Sequence, residues 1–249
     1  MTTSERVTMK SGKSEHNTIQ IEYYSAGVKD TMKPSASPYL LNQIEKIIKF
    51  GDLKKEDKIL EVGCGMGRYT LSLAEQGFNI TGIDLTKFLL ERLDDYNGGR
   101  FDIKLYNSDI INAPEELNNS FDKIIGFFAL HHFHDIEECY KSMYRLLKPG
   151  GSIIFLEPNA FNPLYYLQIL ITPKMTWEGD KGIVNMRRSR IFKHMKNAGL
   201  KELKVKRFGF LPPFLYNMKT GPFFDKLFSS FPLWKKLLPF QMFKGNKHA

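Results

Sequence analysis

The sequence predicts an α/β fold built on a doubly wound, mostly parallel sheet with helices on both faces. Three observations predict it. Between residues 58 and 156, short and almost continuously apolar segments alternate with segments of helical period, the pattern of parallel strands linked by helices. Glycine follows the end of most of the helical segments, as expected where a helix stops. The first apolar segment runs directly into a glycine-rich turn that opens a helix.

The predicted elements follow one another closely. A first helix is capped by Ser37, begins with Pro38 and ends at Gly51, because capping residues, Pro at the first turn and Gly at the end mark helix limits. Five strands are then expected at 58–62, 79–83, 103–106, 123–128 and 152–156, with helices at 68–75, 86–96 and 136–147. A helix at 188–197, a strand at 201–208 and a last strand at 240–244, expected to pair antiparallel at the sheet edge, complete the pattern.

These elements divide the chain into four expected parts. In chain order they are a flexible tail (1–20), N-terminal helices forming a lid (21–56), the core of the sheet (57–159), and the end of the sheet with its inserts (160–249). Two inserts, 160–186 and 208–239, are expected to cap the sheet. From Phe208 to Phe243 the chain holds 11 of its 33 aromatic residues, so the second insert is unusually aromatic.

Composition narrows the class of protein. The chain has 249 residues, 42% of them hydrophobic and 25% charged, a globular mix that argues against wholesale disorder. No apolar run approaches the roughly 20 residues of a membrane-spanning helix, and residues 1–20 lack the apolar segment of a secretory signal. Cys64 and Cys139 are too few for a disulfide framework or a cysteine-rich zinc site. We therefore expect a cytoplasmic protein, with peripheral contact at the inner membrane face as an alternative.

The net charge of +9 is distributed unevenly along the chain. Residues 1–160 hold 19 Lys and Arg against 23 Asp and Glu, whereas residues 161–249 hold 17 against 4. A basic block of this size can face nucleic acid, anionic lipid or an acidic substrate. It is equally compatible with a solvated surface that binds nothing.

The most informative segment is 61–67, Glu-Val-Gly-Cys-Gly-Met-Gly. It follows a strand and opens a helix, which is the context of a nucleotide-binding glycine loop. Position 68 is Arg, where the dinucleotide fingerprint has a sixth-position glycine. Asp84 lies 21 residues after Gly63, at the end of the second strand, where a carboxylate accepts hydrogen bonds from ribose hydroxyls. Asp84 is also suited to capping the next helix, and that alternative stays open.

Five signals in chain order together resemble the class I S-adenosylmethionine-dependent methyltransferases. They are the glycine loop 61–67, Asp84, Asp109, Phe121-Asp122 and the Leu-Lys-Pro-Gly-Gly segment 147–151. The resemblance covers about residues 58–157. It implies a Rossmann-like sheet, S-adenosylmethionine as cofactor with S-adenosylhomocysteine as product, and transfer of a methyl group to an acceptor.

The resemblance also implies roles for individual residues. The backbone of the glycine loop would hold the methionine part of the cofactor, and Glu61 would orient the loop and the amino group. Asp84 would hold the ribose, Leu85 would pack on the adenine, and Asp109 with the backbone of Ile110 would bind the adenine edge. The implied cofactor-binding set is Glu61, Gly63, Cys64, Gly65, Met66, Gly67, Asp84, Leu85, Asp109, Ile110, Phe127 and Tyr24.

Several of these residues also have ordinary structural explanations. Asp109 is equally suited to a helix cap, and Cys64 to packing, since no second cysteine or metal pattern accompanies it. Phe127 begins the segment that would wall the sulfonium. Tyr24, with Tyr23, resembles an aromatic pair on an N-terminal lid, but a core-facing pair explains it as well.

A general base is needed only if the acceptor must lose a proton. His131 and His132 lie where the family places residues between cofactor and acceptor, and Glu157 follows the fifth strand. These three are the catalytic candidates. No metal site is expected, because His131, His132 and His134 are too close in sequence for their side chains to point the same way.

The expected acceptor is a small, hydrophobic or lipid-like molecule, methylated by in-line displacement. Aromatic and aliphatic residues at helical spacing lie beside lysines in 208–239, which suits either a membrane interface or a helical cap whose aromatics face the sheet. One alternative function is an RNA methyltransferase that uses the basic C-terminal third. Against nucleic acid, the fourth strand is followed by Phe-Ala-Leu-His (128–131) rather than by the Asn/Asp-Pro-Pro-aromatic motif of base methyltransferases. A non-catalytic cofactor-binding module is the other alternative.

Overall fold

The computed structural model describes residues 11–25, 32–171, 177 and 181–248. Within these residues seven strands form one sheet in the order β3-β2-β1-β4-β5-β7-β6, with helices on both faces. The strands are β1 (Lys58–Val62), β2 (Asn79–Asp84), β3 (Lys104–Asn107), β4 (Phe121–Phe127), β5 (Leu147–Pro158), β6 (Lys201–Phe208) and β7 (Phe240–Asn246). The helices are α1 (Ser11–Ser25), α2 (Pro38–Gly51), α3 (Thr70–Glu75), α4 (Lys87–Asn97), α5 (Ile136–Leu146), α6 (Pro163–Ile171), α7 (Arg188–Asn197), the single turn α8 (Pro213–Tyr216) and α9 (Gly221–Ser229).

The sheet confirms the predicted fold class. Strands β3, β2, β1, β4 and β5 are parallel, and β7 runs antiparallel to both of its neighbours, β5 and β6. The reversed last strand therefore lies one place inside the edge, and β6 is outermost. The chain leaves β1 toward β2 and β3 and returns to the other side of β1 as β4. Such a change of direction opens a crevice at the carboxyl ends of β1 and β4, where α/β proteins bind ligands.

The first predicted helix is present with its caps. Ser37 Oγ accepts a hydrogen bond from the Leu40 backbone N–H at 3.3 Å, and the helix ends at Asp52, whose φ is 55°. The apolar stripe of α2 is buried against the sheet through Leu40, Ile44 and Ile47. Capping and an apolar face thus position this helix as its sequence indicates.

The predicted tail boundary at residue 20 is wrong for residues 11–20, because they belong to α1. Residues 1–10 lie outside the described residues. Asn17 Nδ2 donates to Asp109 Oδ2 at 2.8 Å, and Gln20 is only 8% exposed. The polar composition suggested a tail, but these long-range contacts hold the segment against the sheet. The rest of the four-part division stays a prediction.

The two inserts carry α6, α8 and α9. Part of the first insert, 172–176 and 178–180, lies outside the described residues. In the second insert Phe223, Phe224 and Leu227 are exposed, so of the two alternatives left open for this segment, a cap whose apolar side chains face the sheet does not describe these three residues. Among the described residues, no helix is both long and apolar enough to span a bilayer.

Candidate active site

A cavity of about 250 Å³ opens at the carboxyl ends of β1, β2 and β4. Its walls come from the glycine loop, the residues after β2, β3 and β4, and the inner face of α1. The volume is near the lower end of the range of small-molecule sites, about 300 Å³ and above. The location is the one that the strand order predicts.

The three glycines of the loop have different structural roles. Gly63, Gly65 and Gly67 all have positive φ, at 72°, 51° and 80°. A Cβ on Gly63 would lie 2.6 Å from Ala129 Cβ, so this glycine lets the loop approach the turn after β4. A Cβ on Gly65 would meet nothing within 4 Å, which leaves its backbone open to a ligand.

The structure corrects the prediction that Gly67 contacts the cofactor. It does not line the cavity, and a Cβ there would lie 2.7 Å from Leu93 Cγ. The third glycine is required because α4 packs directly against the loop. Its role is packing, and the sequence spacing alone does not distinguish the two uses.

Asp84 faces the cavity and also holds the glycine loop in place. Its Oδ2 accepts from Gly65 N–H and its Oδ1 from Thr86 N–H, each at 2.8 Å. A carboxylate has about four acceptor positions, and the Thr86 side chain also bonds to Asp84, so about one position remains open toward the cavity. Burial raises the pKa of Asp84, and the two backbone N–H donors oppose that rise. The side chain lines the cavity.

Glu61 lies beneath the glycine loop, lines the cavity and is almost fully buried. Thr70 Oγ1 donates to Glu61 Oε2 at 2.8 Å. Burial raises the pKa of Glu61 to about 8; the Thr70 hydrogen bond opposes this rise and the nearby Asp84 adds to it. At neutral pH the carboxyl group is therefore mostly protonated, and a cation beside it would favour its ionisation.

Asp109 caps a turn and lines the cavity at the same time. Its Oδ1 accepts from Ile111 N–H at 3.0 Å, which is the capping role left open by the sequence, and its Oδ2 accepts from Asn17 of α1. Leu85 and Ile110 line the same side of the cavity. The structure thus brings Asp84 and Asp109 to one end of the cavity although β3 separates them in sequence.

Cys64 and Met66 line the cavity but are buried. A Cβ on Gly82 would lie 2.8 Å from Cys64 Sγ, so the thiol packs closely against β2. Burial raises the pKa of Cys64 well above its ordinary value, and Asp84 and Glu61 add to the shift. The thiol is therefore protonated and is not a nucleophile, in agreement with a packing role.

The turn after β4 forms the opposite wall. Phe127 stacks on Tyr69 with ring centroids 3.9 Å apart. Phe128 follows with a φ of 54°, unusual for a residue other than glycine, while its backbone N–H donates to Leu156 O at 2.8 Å. This left-handed residue turns the chain back across the cavity mouth, and such local strain is often found at functional sites.

Of the two adjacent histidines, only His132 reaches the cavity. The Tyr24 hydroxyl and His132 Nε2 are 2.7 Å apart, and both side chains line the cavity. Tyr24 therefore faces the site and is not a core residue, and Tyr23 contacts its ring edge-on, with centroids 5.1 Å apart.

His131 and Glu157 were two of the three predicted catalytic candidates. The structure corrects this prediction, because neither residue lines the cavity. Both are buried, with His131 Nδ1 2.6 Å from Glu157 Oε2. The other oxygen of Glu157 accepts from the N–H groups of Ala129 and Leu130, at 3.0 and 2.7 Å. The pair thus holds the short 3-10 turn 130–132 that carries His132, since neighbouring residues of such a turn point to different sides.

Sequence reasoning missed several residues that line the cavity. On α1 these include Asn17 and Gln20, which with Tyr24 fall at helical spacing on one face, a signal that was available. The Gln20 Oε1 atom is buried and has no hydrogen-bond partner within the described part of the chain. Met32, Arg68 and Tyr69 also line the cavity. No group of three His, Cys, Asp or Glu side chains is placed to hold a metal ion among the residues described.

Comparisons with known proteins fit this geometry. Residues 60–155 match the model of a family described as a methyltransferase domain. Demethylmenaquinone methyltransferase of Staphylococcus aureus is 33% identical over 131 residues, which are 49% of this chain and 54% of that protein. The match therefore spans about half the length of the curated relatives.

Solved structures resemble the fold over nearly the whole chain. Phosphoethanolamine N-methyltransferase 2 of Haemonchus contortus, in complex with S-adenosyl-L-methionine, has a TM-score of 0.64 at 19% identity and covers 94% of this chain and 57% of its own. The [4+2]-cyclase SpnF has a TM-score of 0.61 at 17% identity and covers 95% and 96%. At these identities the likeness shows the fold alone, and a fold hosts more than one chemistry.

Proposed function

We propose that this chain, whose residues 60–155 match the model of a methyltransferase domain, is a class I S-adenosylmethionine-dependent methyltransferase that transfers a methyl group to a small, hydrophobic or lipid-like acceptor. The observation that carries the proposal is the cavity at the carboxyl ends of β1, β2 and β4. It combines an open glycine loop, a buried acid and two further carboxylates, and it has an aromatic wall.

The residues present suit this cofactor. Asp84 keeps an open acceptor position for a ribose hydroxyl, and Asp109 lies beside Leu85 and Ile110 for the adenine. The open backbone at Gly65 and the acid Glu61 suit the amino-acid part. No phosphate has to be bound, in keeping with a loop that lacks the Lys-Ser/Thr ending of a P-loop.

The cofactor supplies a methyl group activated by its sulfonium, so the protein has to align the acceptor and exclude water. Helix α1 is placed for the second task, because Asn17 bonds Asp109 and Tyr24 lies beside His132 across the cavity. These two contacts hold α1 over the site. An acceptor that must lose a proton would deliver it to the Tyr24–His132 pair, the nearest hydroxyl and imidazole on the wall.

An apolar acceptor suits the aromatic wall. The ring of Phe128, at the cavity, lies 5.5 Å from that of Phe240, centroid to centroid. The Tyr39 ring in turn lies 6.2 Å from Phe240 and 5.6 Å from Tyr216 of α8. Aromatic surface thus continues from the cavity toward the second insert. The name of the Staphylococcus aureus relative, a methyltransferase of demethylmenaquinone, also favours an acceptor of this class.

The RNA alternative is less well supported by the position of the basic residues. Lys201, Lys204 and Lys206 are exposed on β6, the outermost strand, four places from β1 in the sheet. With strands about 4.8 Å apart, this edge lies roughly 14 Å from β4, the nearest cavity strand, and roughly 19 Å from β1. These three lysines of β6 therefore do not form a path that would guide a nucleic acid into the cavity.

Methyl transfer to lipid tests the proposal directly. With S-adenosylmethionine labelled on its methyl group, we expect label to enter the lipid fraction of a bacterial extract and not its RNA. Tyr24→Phe should lower this transfer about tenfold to a hundredfold, since a lost acid-base group costs that much or more, while S-adenosylhomocysteine affinity changes little. Tyr23→Phe, one residue away and outside the cavity, is the matched control. Label in RNA alone would support the RNA alternative, and cofactor binding without any labelled fraction would support the non-catalytic one.

Cofactor binding should release a proton from Glu61. In the free protein the pKa of Glu61 is about 8, so the group holds its proton at pH 7. An ammonium group bound beside it favours the carboxylate and lowers that pKa, so affinity should rise as the pH rises from 7 toward 8. Calorimetry of S-adenosylhomocysteine binding in buffers of different ionisation enthalpy measures the release, which Glu61→Gln should abolish. Equal proton release from the variant would exclude Glu61 as its source.

A further inference from the structure

Exposed apolar side chains are concentrated in the two inserts. Of the nineteen large hydrophobic side chains that are exposed among the described residues, fifteen lie in 160–186 or 208–239. Leu233 is 85% exposed and Leu170 is 81% exposed. Proteins seldom expose large apolar side chains in such number on neighbouring elements unless the surface binds something.

Helix α9 faces the solvent with its apolar side. Its buried side chain is Asp225, which is 7% exposed and whose Oδ1 accepts from the N–H groups of Phe210 and Leu211 at 2.7 and 2.8 Å. Phe223, on the other side, is 66% exposed. An acid inside and phenylalanines outside is the reverse of an ordinary surface helix.

The first insert continues the same surface. Helix α6, Pro163–Ile171, contains no charged residue, and Leu164, Leu167 and Leu170 are exposed along it. The residue before α6, Asn162, donates from Nδ2 to Leu237 O at 2.7 Å. The start of α6 is thus bonded directly to the segment that follows α9.

Hydrogen bonds and ring contacts hold the exposed residues in place. Asn159 Nδ2 donates to the carbonyl oxygens of Lys236 and Leu238, at 2.9 and 2.7 Å. Trp234 Nε1 donates to Phe228 O at 2.7 Å, and the Phe210 ring lies between Phe228 and Trp234, at 5.2 and 5.6 Å. The apolar side chains therefore project from an ordered base.

We call this face the cap surface. Its members are Phe161, Leu164, Leu167, Leu170, Phe214, Leu215, Met218, Phe223, Phe224, Leu227, Phe231, Leu233 and Leu237.

The exposed charges of the second insert, 208–239, are of one sign. Lys219, Lys226, Lys235 and Lys236 are exposed within the second insert. The single acidic residue of 208–239 is Asp225, and it is turned inward. In this insert apolar side chains lie beside exposed lysines and the one acid is buried, which are the features of a segment that lies in the interface of an anionic membrane.

We propose that the cap surface docks on the surface of an anionic lipid bilayer, with its apolar side chains in the interface and its lysines at the head groups. A second copy of the chain is less suitable as occupant, because a symmetric contact would bring the same lysines together. A bilayer has no fixed shape to match, and projecting side chains such as Leu170 and Leu233 can enter it singly.

Docking would place the cavity beside its substrate. Tyr216, at the end of the aromatic series from Phe128, belongs to α8, whose Phe214 is on the cap surface. This consequence rests on the proposed function, since it presumes a lipid-like acceptor. The docking itself does not depend on methyl transfer.

Vesicle co-sedimentation of the full chain tests the proposal. We expect binding to vesicles of phosphatidylcholine with phosphatidylglycerol, weaker binding to phosphatidylcholine alone, and a decrease with added salt. The double variant Phe223→Ser/Leu233→Ser should bind at least tenfold more weakly, and Tyr96→Ser, an exposed aromatic on α4 outside the cap surface, should bind normally. Lys235→Glu/Lys236→Glu should also weaken binding, whereas Lys201→Glu/Lys204→Glu, with the same change of net charge on β6, should not.

Three results would overturn the proposal. They are no sedimentation of the wild type with anionic vesicles, equal losses in the matched control variants, or a dimer in solution that Phe223→Ser/Leu233→Ser dissociates while vesicles bind nothing. Binding of S-adenosylhomocysteine is measured in every variant. Because the substituted side chains lie outside the cavity, unchanged cofactor affinity with lost vesicle binding separates this proposal from the proposed function.

Discussion

Replacing Asp84 by alanine is expected to weaken S-adenosylhomocysteine binding by about 1.5–3 kcal/mol, roughly tenfold to 150-fold in Kd. The carboxylate has an open acceptor position for the ligand and also accepts from the Gly65 and Thr86 N–H groups. Its removal therefore costs a charged hydrogen-bond partner and loosens the loop. Isothermal titration calorimetry measures the change.

Asp122→Ala is the matched control for this prediction. Asp122 accepts from Lys58 N–H at 2.9 Å and pairs with Lys148 at 2.7 Å, at the opposite end of β4 from the cavity. Partial burial raises the pKa of Asp122, but the hydrogen bonds from Lys148 and Lys58 and the nearby lysine charges together lower it below its ordinary value. Its loss should reduce stability slightly and leave Kd unchanged. An Asp84→Ala protein that binds as tightly as the control would remove Asp84 from the site.

Replacing Glu157 by alanine is expected to destabilise the fold by about 3–5 kcal/mol, because three buried groups lose their hydrogen-bond partner and each such loss costs about 1–3 kcal/mol. His131 and the N–H groups of Ala129 and Leu130 would all lose their acceptor. For a chain of this size the expected fall in Tm is about 6–20 °C. Thermal unfolding followed by circular dichroism measures it, and turnover should fall as the turn carrying His132 loosens.

His132→Ala separates positioning from catalysis. His132 is half-buried at the cavity, so its loss should lower turnover, per folded protein, with a much smaller change in Tm. Glu157→Gln keeps one acceptor oxygen and should restore part of the stability and of the turnover. A Glu157→Gln protein with normal Tm and no turnover would instead make Glu157 a catalytic residue, contrary to its position outside the cavity.

Local signals were sufficient for most of the sheet. Runs of apolar residues and the glycines that follow the helices predicted the strand positions, and Ser37 and Pro38 predicted the start of α2. The clearest difference is β5, which begins at Leu147 instead of at 152 because Leu147 pairs with Phe121 of β4. The Pro-Gly-Gly segment reads as a turn in isolation, and only the neighbouring strand makes it part of the sheet.

The cofactor side of the site was predictable for the same reason. The glycine loop and the acids at the ends of β2 and β3 follow strands whose carboxyl ends must meet at one edge of a parallel sheet. The acceptor side was not. Which of the adjacent residues His131 and His132 reaches the cavity depends on the left-handed conformation of Phe128 and on the buried Glu157, and neither is visible in a residue pattern.

The sequence by itself thus determined the fold class, the location of the cavity and the acids within it, because these depend on short-range patterns and on strand order. Only the tertiary structure decided where the polar N-terminal segment packs and in which direction the apolar face of α9 points. Helix α1 covers the cavity through partners 92 and 108 residues away, Asp109 and His132. Helix α9 has an apolar face by its sequence, but the direction of that face follows from Asp225, which is held inside by the N–H groups of Phe210 and Leu211. Periodicity defines a face, and only long-range hydrogen bonds decide which way it points.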